Sequence, residues 1–247
     1  MARIDINVPY AEKDEAKILG AKWDAANKTW YVPDGVSVDH FLKWLSDYNV
    51  IAPYWYIAQT YDYCWKCGCG TVMTSVLLPE GHQTLEQDDD GLIYWKKHEI
   101  PAFIFYIYDI PVHILKNFER VTHYLSKNYS KTVDNKFYDI PVHILKNFER
   151  VTHYLSKNYS KTVDNKYWMN HCQHCHMKQG DFQLHCEVDG AFTPANREQA
   201  SGIYLTRIEQ RFSASCGGIS HEHLHIRFGS EEAFLTSGEW FPYMDKI

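Results

Sequence analysis

Apolar and polar residues alternate over residues 3–8, Arg-Ile-Asp-Ile-Asn-Val, the period of a half-buried strand that Pro9 ends. From Tyr10 to Leu19 the spacing changes. Ala11, Ala16 and Leu19 can pack on one side while Glu12, Lys13, Asp14, Glu15 and Lys17 face water, which predicts a short helix with Gly20 at its C-cap position. Lys28–Pro33 reads as a second strand, and Phe41–Leu45 begins another helix. Together these predict a compact β-α-β module over residues 1–46. Further on, Thr71–Leu78, Leu92–Lys96 and Phe103–Ile107 are strand-like, and Glu86–Gly91 reads as an acidic hairpin loop rather than a pair of catalytic carboxylates. The chain from Phe182 onward reads as β-rich, with one helix near Ala195–Ile208. The predicted class is α+β: the small N-terminal module, then a larger antiparallel-sheet domain over residues 52–247.

An identical tandem repeat interrupts the second domain. Tyr108–Lys136 and Tyr138–Lys166 match residue for residue, with a period of 30. Solenoid repeats diverge, so this identity points to a recent duplication or a deliberate one. Each copy reads as one helix: Asp109 can cap it, Pro111 suits its first turn, and Ile114, Phe118, Val121 and Leu125 recur at helical spacing. Asn128–Lys136 then reads as a polar loop. The second copy is read the same way, helix from Asp139 through Leu155 and loop on to Lys166. A fold with one slot accommodates one copy. The other is expected to dock at the surface or to drive self-association through its apolar stripe.

Composition narrows the class. The 247 residues are 45% hydrophobic and 23% charged, which excludes wholesale disorder, collagen and a long coiled coil. The longest apolar run, near Phe103–Ile107, is too short to span a bilayer, and the first residues carry no signal-peptide pattern, so a cytoplasmic protein with no membrane partner is expected. A formal net charge of −6 supplies no global basic field, although a local basic face is compatible with it. No phosphate loop, dinucleotide fingerprint, nucleophile elbow or primase signature is present.

The strongest chemistry lies in the cysteines. There are seven, an odd number that argues against a disulfide framework. Cys64-Trp-Lys-Cys67-Gly68 is a C-x-x-C-G knuckle whose spacing lets two thiolates reach one ion, and Cys172-Gln-His-Cys175 is a second pair. Cys64, Cys67, Cys172 and Cys175 are therefore the expected ligands of a tetrahedral structural zinc ion, in a zinc-ribbon-like arrangement. The knuckles stand 104 residues apart, or 74 with one repeat period discounted, so an inserted element must separate them. Cys69 is an alternative to Cys67, and His171, His174 or His176 an alternative to one thiolate. Cys186 and Cys216 are expected to be packed as small apolar groups. His221, His223 and His225 alternate as on a strand and would share one face. They are the candidate ligands of a second metal in a metal-dependent hydrolase, or simply an exposed strand face.

The N-terminal module carries a recognisable pattern. Val8, Pro9, Tyr10, Glu12, Lys13, Asp14, Ala16, Lys17, Leu19, Gly20, Ala21, Trp23, Asp24, Lys28, Trp30, Tyr31, Val32 and Pro33 fit V-P-Y-x-E-K-D-x-A-K-x-L-G-A-x-W-D-x-x-x-K-x-W-Y-V-P. This resembles a short bacterial family of unknown function that recurs in plasmid- and phage-borne proteins, including primases and conjugation proteins. The resemblance covers about 45 residues. It implies an accessory module in a DNA-handling or mobile-element setting, and no catalytic activity. The segments TYDYCWKCG and KYWMNHCQHCHMKQGDFQLH resemble parts of uncharacterised bacterial proteins carrying the same module, where a C-x-x-C precedes a Q-G-D-F/Y-x-L-H stretch, here Gln179–His185.

Lys22, Trp23, Lys28, Trp30 and Tyr31 mix cations with aromatic faces, the ingredients of a single-strand stacking platform. The competing reading makes Trp23 and Trp30 core residues of a very small unit. The expected function is a zinc-stabilised, non-enzymatic accessory protein contacting single-stranded nucleic acid or a DNA-processing partner. The alternatives are a hydrolase built on the His221–His225 cluster, and an interaction module using the extra repeat copy.

Overall fold

The computed structural model describes residues 3–26, 28–44, 48–110, 114, 117–118, 155–187, 190–220 and 237–247. Their fold is mostly antiparallel sheet with a few short helices.

The N-terminal unit comprises β1 (Arg3–Ile6), a 3-10 turn at Tyr10–Glu12, α1 (Lys13–Ile18), β2 (Lys22–Asp24) and β3 (Thr29–Pro33). It is β-α-β-β rather than the β-α-β unit expected. The additional strand β2 pairs antiparallel with β3, and the sheet order is β1-β3-β2. The helix expected over Tyr10–Leu19 splits into the 3-10 turn and α1, and the one expected from Phe41 is a 3-10 helix over Asp39–Trp44. Ile4, Ile6, Ala16, Trp30, Val32, Phe41 and Trp44 form its core. Trp44 closes the unit twice: its indole N–H donates to Glu12 Oε2 at 2.7 Å and its carbonyl accepts from Asn7 N at 2.8 Å. Ile51 joins this core and Trp95 packs against it, so the unit rests on the larger sheet.

That sheet has nine strands. They are β4 (Val50–Ala52), β5 (Trp55–Tyr63), β6 (Gly70–Leu78), β7 (Gln83–Gln87), β8 (Ile93–Lys97), β9 (Ala102–Asp109), β13 (Tyr204–Ile208), β14 (Phe212–Ser220) and β15 (Asp245–Lys246). The order is β15-β13-β5-β6-β9-β14-β4-β7-β8, antiparallel except for β13 with β15. The acidic segment 86–91 joins β7 to β8, so the hairpin partner of β8 is β7 and not the Thr71–Leu78 strand.

Both faces of the sheet centre are covered, which is why β6 is apolar or small almost throughout and buried along its whole length. Trp55, Ile57, Val72, Val76 and Phe212 pack on one face; Tyr56, Met73, Leu77 and Phe103 pack on the other, beneath Leu184, Phe192 and Trp240. The second face is roofed by α2 (Asp181–His185), α3 (Arg197–Ser201) and α4 (Ser237–Trp240). The helix expected near Ala195–Ile208 is thus only α3, followed by β13. Asn196 caps α3 by accepting from Gln199 N at 2.9 Å, while Tyr204–Ile208 buries Leu205 on one face of the sheet and Ile208 on the other.

A third, small sheet carries the second cysteine pair. It comprises β10 (Leu155–Ser160), β11 (Asn165–His171) and β12 (Lys178–Gln179), in that order. The polar segment read as a loop up to Lys166 is therefore a hairpin, with β10 and β11 joined by a turn at 161–164.

The repeat is divided between its copies. Ile114, Asn117 and Phe118 of the first copy are helical, and Ile114 and Phe118 are buried against Trp55 and its neighbours. Leu155 of the second copy packs on the same cluster and opens β10. One copy's worth of helix start and hairpin is thus assembled from the head of the first copy and the tail of the second. The rest of the second expected helix, residues 139–154, lies outside the described residues. No helix among the described residues is long and apolar enough to cross a membrane.

Candidate metal centre

Two hairpin turns build the centre. The first joins β5 to β6 and contains Cys64–Cys69; the second joins β11 to β12 and contains Cys172–Met177. Their backbones are bonded alike. Cys64 N donates to Cys69 O and Gly68 N to Cys64 O, both at 2.9 Å; Cys172 N donates to Met177 O at 2.9 Å and His176 N to Cys172 O at 3.0 Å. In each turn the fourth residue after the leading cysteine takes left-handed backbone, Gly68 at φ 69° and His176 at φ 56°. Glycine relieves the strain at the first; His176 tolerates it at the second. Gly70 meets a different demand, since the Tyr61 ring occupies the space a Cβ would need.

The turns face each other. Cys64 Sγ lies 3.7 Å from Cys175 Sγ, Cys67 Sγ lies 3.6 Å from Cys172 Sγ, and all four sulfurs are within 4.8 Å of one another. A tetrahedral zinc–thiolate centre with bonds of about 2.3 Å requires S···S edges of about 3.8 Å. The observed contacts suit it, and they are far longer than a disulfide bond; all seven cysteines are free. Four thiols near enough to hold one metal ion are thus present. Cys69 and the neighbouring histidines do not belong to this group among the described residues. His171 is turned to its own strand, with Nδ1 3.0 Å from Met169 O.

The electrostatics favour thiolate at one position and resist it at another. Burial raises the Cys64 thiol, but the amides of Cys67 and Lys66 and the adjacent thiols outweigh it and bring Cys64 to about 6. Burial pushes Cys172 up to about 12, against the amides of Cys175 and His174. A metal ion held between the four sulfurs would supply the charge that lets all of them ionise. Gln179 is buried and donates to Cys64 Sγ at 3.3 Å, and Trp65 Nε1 donates to Lys178 O at 2.8 Å, tying the first turn to β12.

The Gln179–His185 stretch serves the same region residue by residue. Gln179 bonds sulfur; Asp181 and His185 bond the large sheet. At Tyr106, which takes φ 51°, β9 leaves β6. Pairing stops at Val76 with Ile104, so Thr74 and Tyr106 lose each other as ladder partners. Asn170 takes over for Thr74: its Oδ1 accepts from Thr74 N at 2.8 Å and its Nδ2 donates to Thr74 O at 3.0 Å. Asp181 Oδ2 accepts from Tyr106 N at 2.7 Å. Burial lifts the Asp181 carboxyl to about 7, against the stabilising Tyr106 amide. His185 Nε2 lies 3.3 Å from Ser75 Oγ, its ring stacked between Phe105 and Phe192. A cavity of about 20 Å³ sits at this split, room for one water. Asn170 went unsuspected from sequence, because its partner lies 96 residues away.

The other candidate residues fall elsewhere. Lys22 pairs with Tyr31 and Trp23 with Trp30 across the β2–β3 ladder, so adjacent residues point to opposite faces. Trp30 is buried, Trp23 is half-exposed with its ring 5.5 Å from Trp30, and Lys22 and Lys28 are exposed. The five do not make one continuous platform. Cys216 is buried as expected, whereas Cys186 is exposed rather than packed, since it follows the last turn of α2. His221, His223 and His225 lie outside the described residues.

No solved structure matches the chain. Its N-terminal part is similar to two Escherichia coli proteins, each named DNA primase TraC. One is 62% identical over 39 residues, 16% of this chain and 3% of the relative; the other is 55% identical over 42 residues, 17% of this chain and 4% of the relative. The chain therefore spans only a few per cent of the length of these relatives. The match is to the module alone: residues 3–46 fit the family described as Domain of unknown function (DUF5710).

Proposed function

We propose that the protein is a zinc-stabilised, non-enzymatic accessory protein of mobile-element type that contacts single-stranded nucleic acid or a DNA-processing partner. The observation that carries the metal part is the approach of Cys64, Cys67, Cys172 and Cys175 to within 4.8 Å from two like-bonded turns. Zinc fits because four soft thiolates in a closed tetrahedron suit a structural ion and leave no open position for substrate. The partner class is supported by the module's similarity to proteins named as DNA primases. In this reading residues 1–46 and 52–247 are two units, and the first serves as an adaptor. Zinc per chain, measured by elemental analysis on freshly purified protein without added metal, tests it. One zinc, lost in Cys172→Ser, is the expected result. Protein that is folded and free of metal would contradict the reading.

A further inference from the structure

A groove opens beside the cysteine turns. It has a volume of about 620 Å³ and is lined by Trp65, Tyr159, Lys161, Tyr167, Lys178 and Gln183, among others. Trp65 sits inside the first turn, between Cys64 and Cys67, and is 58% exposed, although its N–H is already used by Lys178 O. Tyr159 is 45% exposed at the end of β10, its hydroxyl donating to Asp164. Two large aromatic side chains with satisfied polar ends thus remain in solvent at one groove. Aromatic faces left open beside a groove are the kind of surface on which a base can stack.

Charge selects the occupant. Residues 155–180 hold four lysines and one aspartate, a net of +3 within a chain of −6. Lys157 is paired with Asp109 at 3.7 Å, and the Lys178 ammonium is held over Tyr159 O at 2.9 Å. Lys161 and Lys178 border the groove itself. Four thiolates and one divalent ion leave a charge of −2, but it is shared with the amides of Lys66, Cys67, His174 and Cys175 and with Gln179 Nε2. Flat aromatic faces next to lysines match a chain that alternates bases with phosphates.

We infer that this groove binds single-stranded nucleic acid without sequence preference, with Trp65 and Tyr159 stacking on bases and Lys161 and Lys178 meeting phosphates. The inference deepens the proposed function by moving the contact from the N-terminal module to the metal-bearing hairpins. It rests on that reading insofar as the metal holds Trp65 in place.

The test is fluorescence anisotropy of the full chain with a fluorescein-labelled oligothymidylate and with a duplex of equal length, at low and moderate salt. Zinc content and thermal midpoint are measured on the same preparations. The expected result is salt-dependent binding of the single strand, preferred over the duplex. Trp65→Ala should weaken it about tenfold or more, whereas Trp65→Phe, which keeps a ring, should retain most of it. Lys161→Glu, in an exposed turn outside the two cysteine turns, should weaken binding and make its salt dependence shallower. Unchanged affinity in both Trp65→Ala and Lys161→Glu, with zinc retained, would overturn the inference. Loss of binding confined to Trp23→Ala would also overturn it and return the contact to the N-terminal module. One zinc per chain with no oligothymidylate binding at low salt sinks the groove and leaves the metal centre standing. Groove-dependent binding in a metal-free protein does the reverse.

Discussion

The nine-stranded sheet and the small β10–β12 sheet are adjacent but held by different means. Trp55, Phe103, Phe212, Leu77 and Trp240 are almost wholly buried about the large sheet, each worth roughly 2–3 kcal/mol of transfer free energy. Such a structure needs no ion. The small sheet has two long strands and a two-residue third, and a sheet of that size does not stand alone. Its attachments include the sulfurs between turns, Trp65 on Lys178 O, Asn170 on Thr74, Lys157 on Asp109, and Leu155 with Trp168 on the core. The contrast teaches that hydrophobic patterning specifies one region, while point contacts from polar and ligating side chains specify the other.

Breaking the sulfur attachment should have the largest effect. Structural zinc in small domains contributes on the order of 10 kcal/mol. Chelation, or Cys172→Ser, should free β11, β12 and the turn at Cys64–Cys69, and leave the large sheet folded. Circular dichroism should retain most β signal while thiol titration shows the cysteines reactive.

Asn170→Ala comes next. It strands Thr74 N–H and C=O in a buried site, at about 1–3 kcal/mol for each group. The urea midpoint should fall accordingly, with zinc still bound.

Asp181→Asn should act in the opposite direction. The folded-state pKa is raised to about 7 from an ordinary 3.8, so the stability linked to this proton is fully present below about pH 4 and is lost as pH rises from there through 7. The amide keeps an acceptor for Tyr106 N and cannot ionise. At pH 8 the variant should be more stable than the parent by about 4 kcal/mol, and the margin should narrow as pH is lowered from 7 toward 4. A margin independent of pH would show that the carboxyl is not buried in its ionised form.

Excising one 30-residue period should have the smallest effect. Any cut starting between residues 108 and 137 yields the same product, and the link from Phe118 to Leu155 shrinks from 36 intervening residues to 6. Closure entropy favours the shorter link by about 1.5 kcal/mol, at about 0.6 kcal/mol per doubling. The thermal midpoint should hold or rise slightly. Light scattering on the same variant also settles whether the extra copy drives self-association, since a change from oligomer to monomer would assign it that role.

How much was legible in the sequence follows from the same contrast. The two C-x-x-C pairs could be read because ligand spacing is local, and the strands at Thr71–Leu78 and Phe103–Ile107 because their apolar content is high. The Asn158–Lys166 stretch was not legible, since a mostly polar hairpin has little periodic signal and takes its register from the turn and from β12. Gln179, Asp181 and His185 stood out as a motif, but their partners Cys64, Tyr106 and Ser75 lie far away in sequence. The five residues read as a platform in the module do not share one face, for a simple geometric reason. Lys22 and Trp23, like Trp30 and Tyr31, are neighbours on strands, and neighbours on a strand face opposite ways.

The central claim is that a metal ion holds the small sheet to a large sheet that does not require it. Native-state hydrogen exchange, followed peptide by peptide before and after chelation, tests it most directly. The account predicts loss of protection over residues 155–179 and 64–69, with β5, β6 and β14 still protected. Protection unchanged everywhere after the metal is removed, or lost everywhere at once, would contradict it.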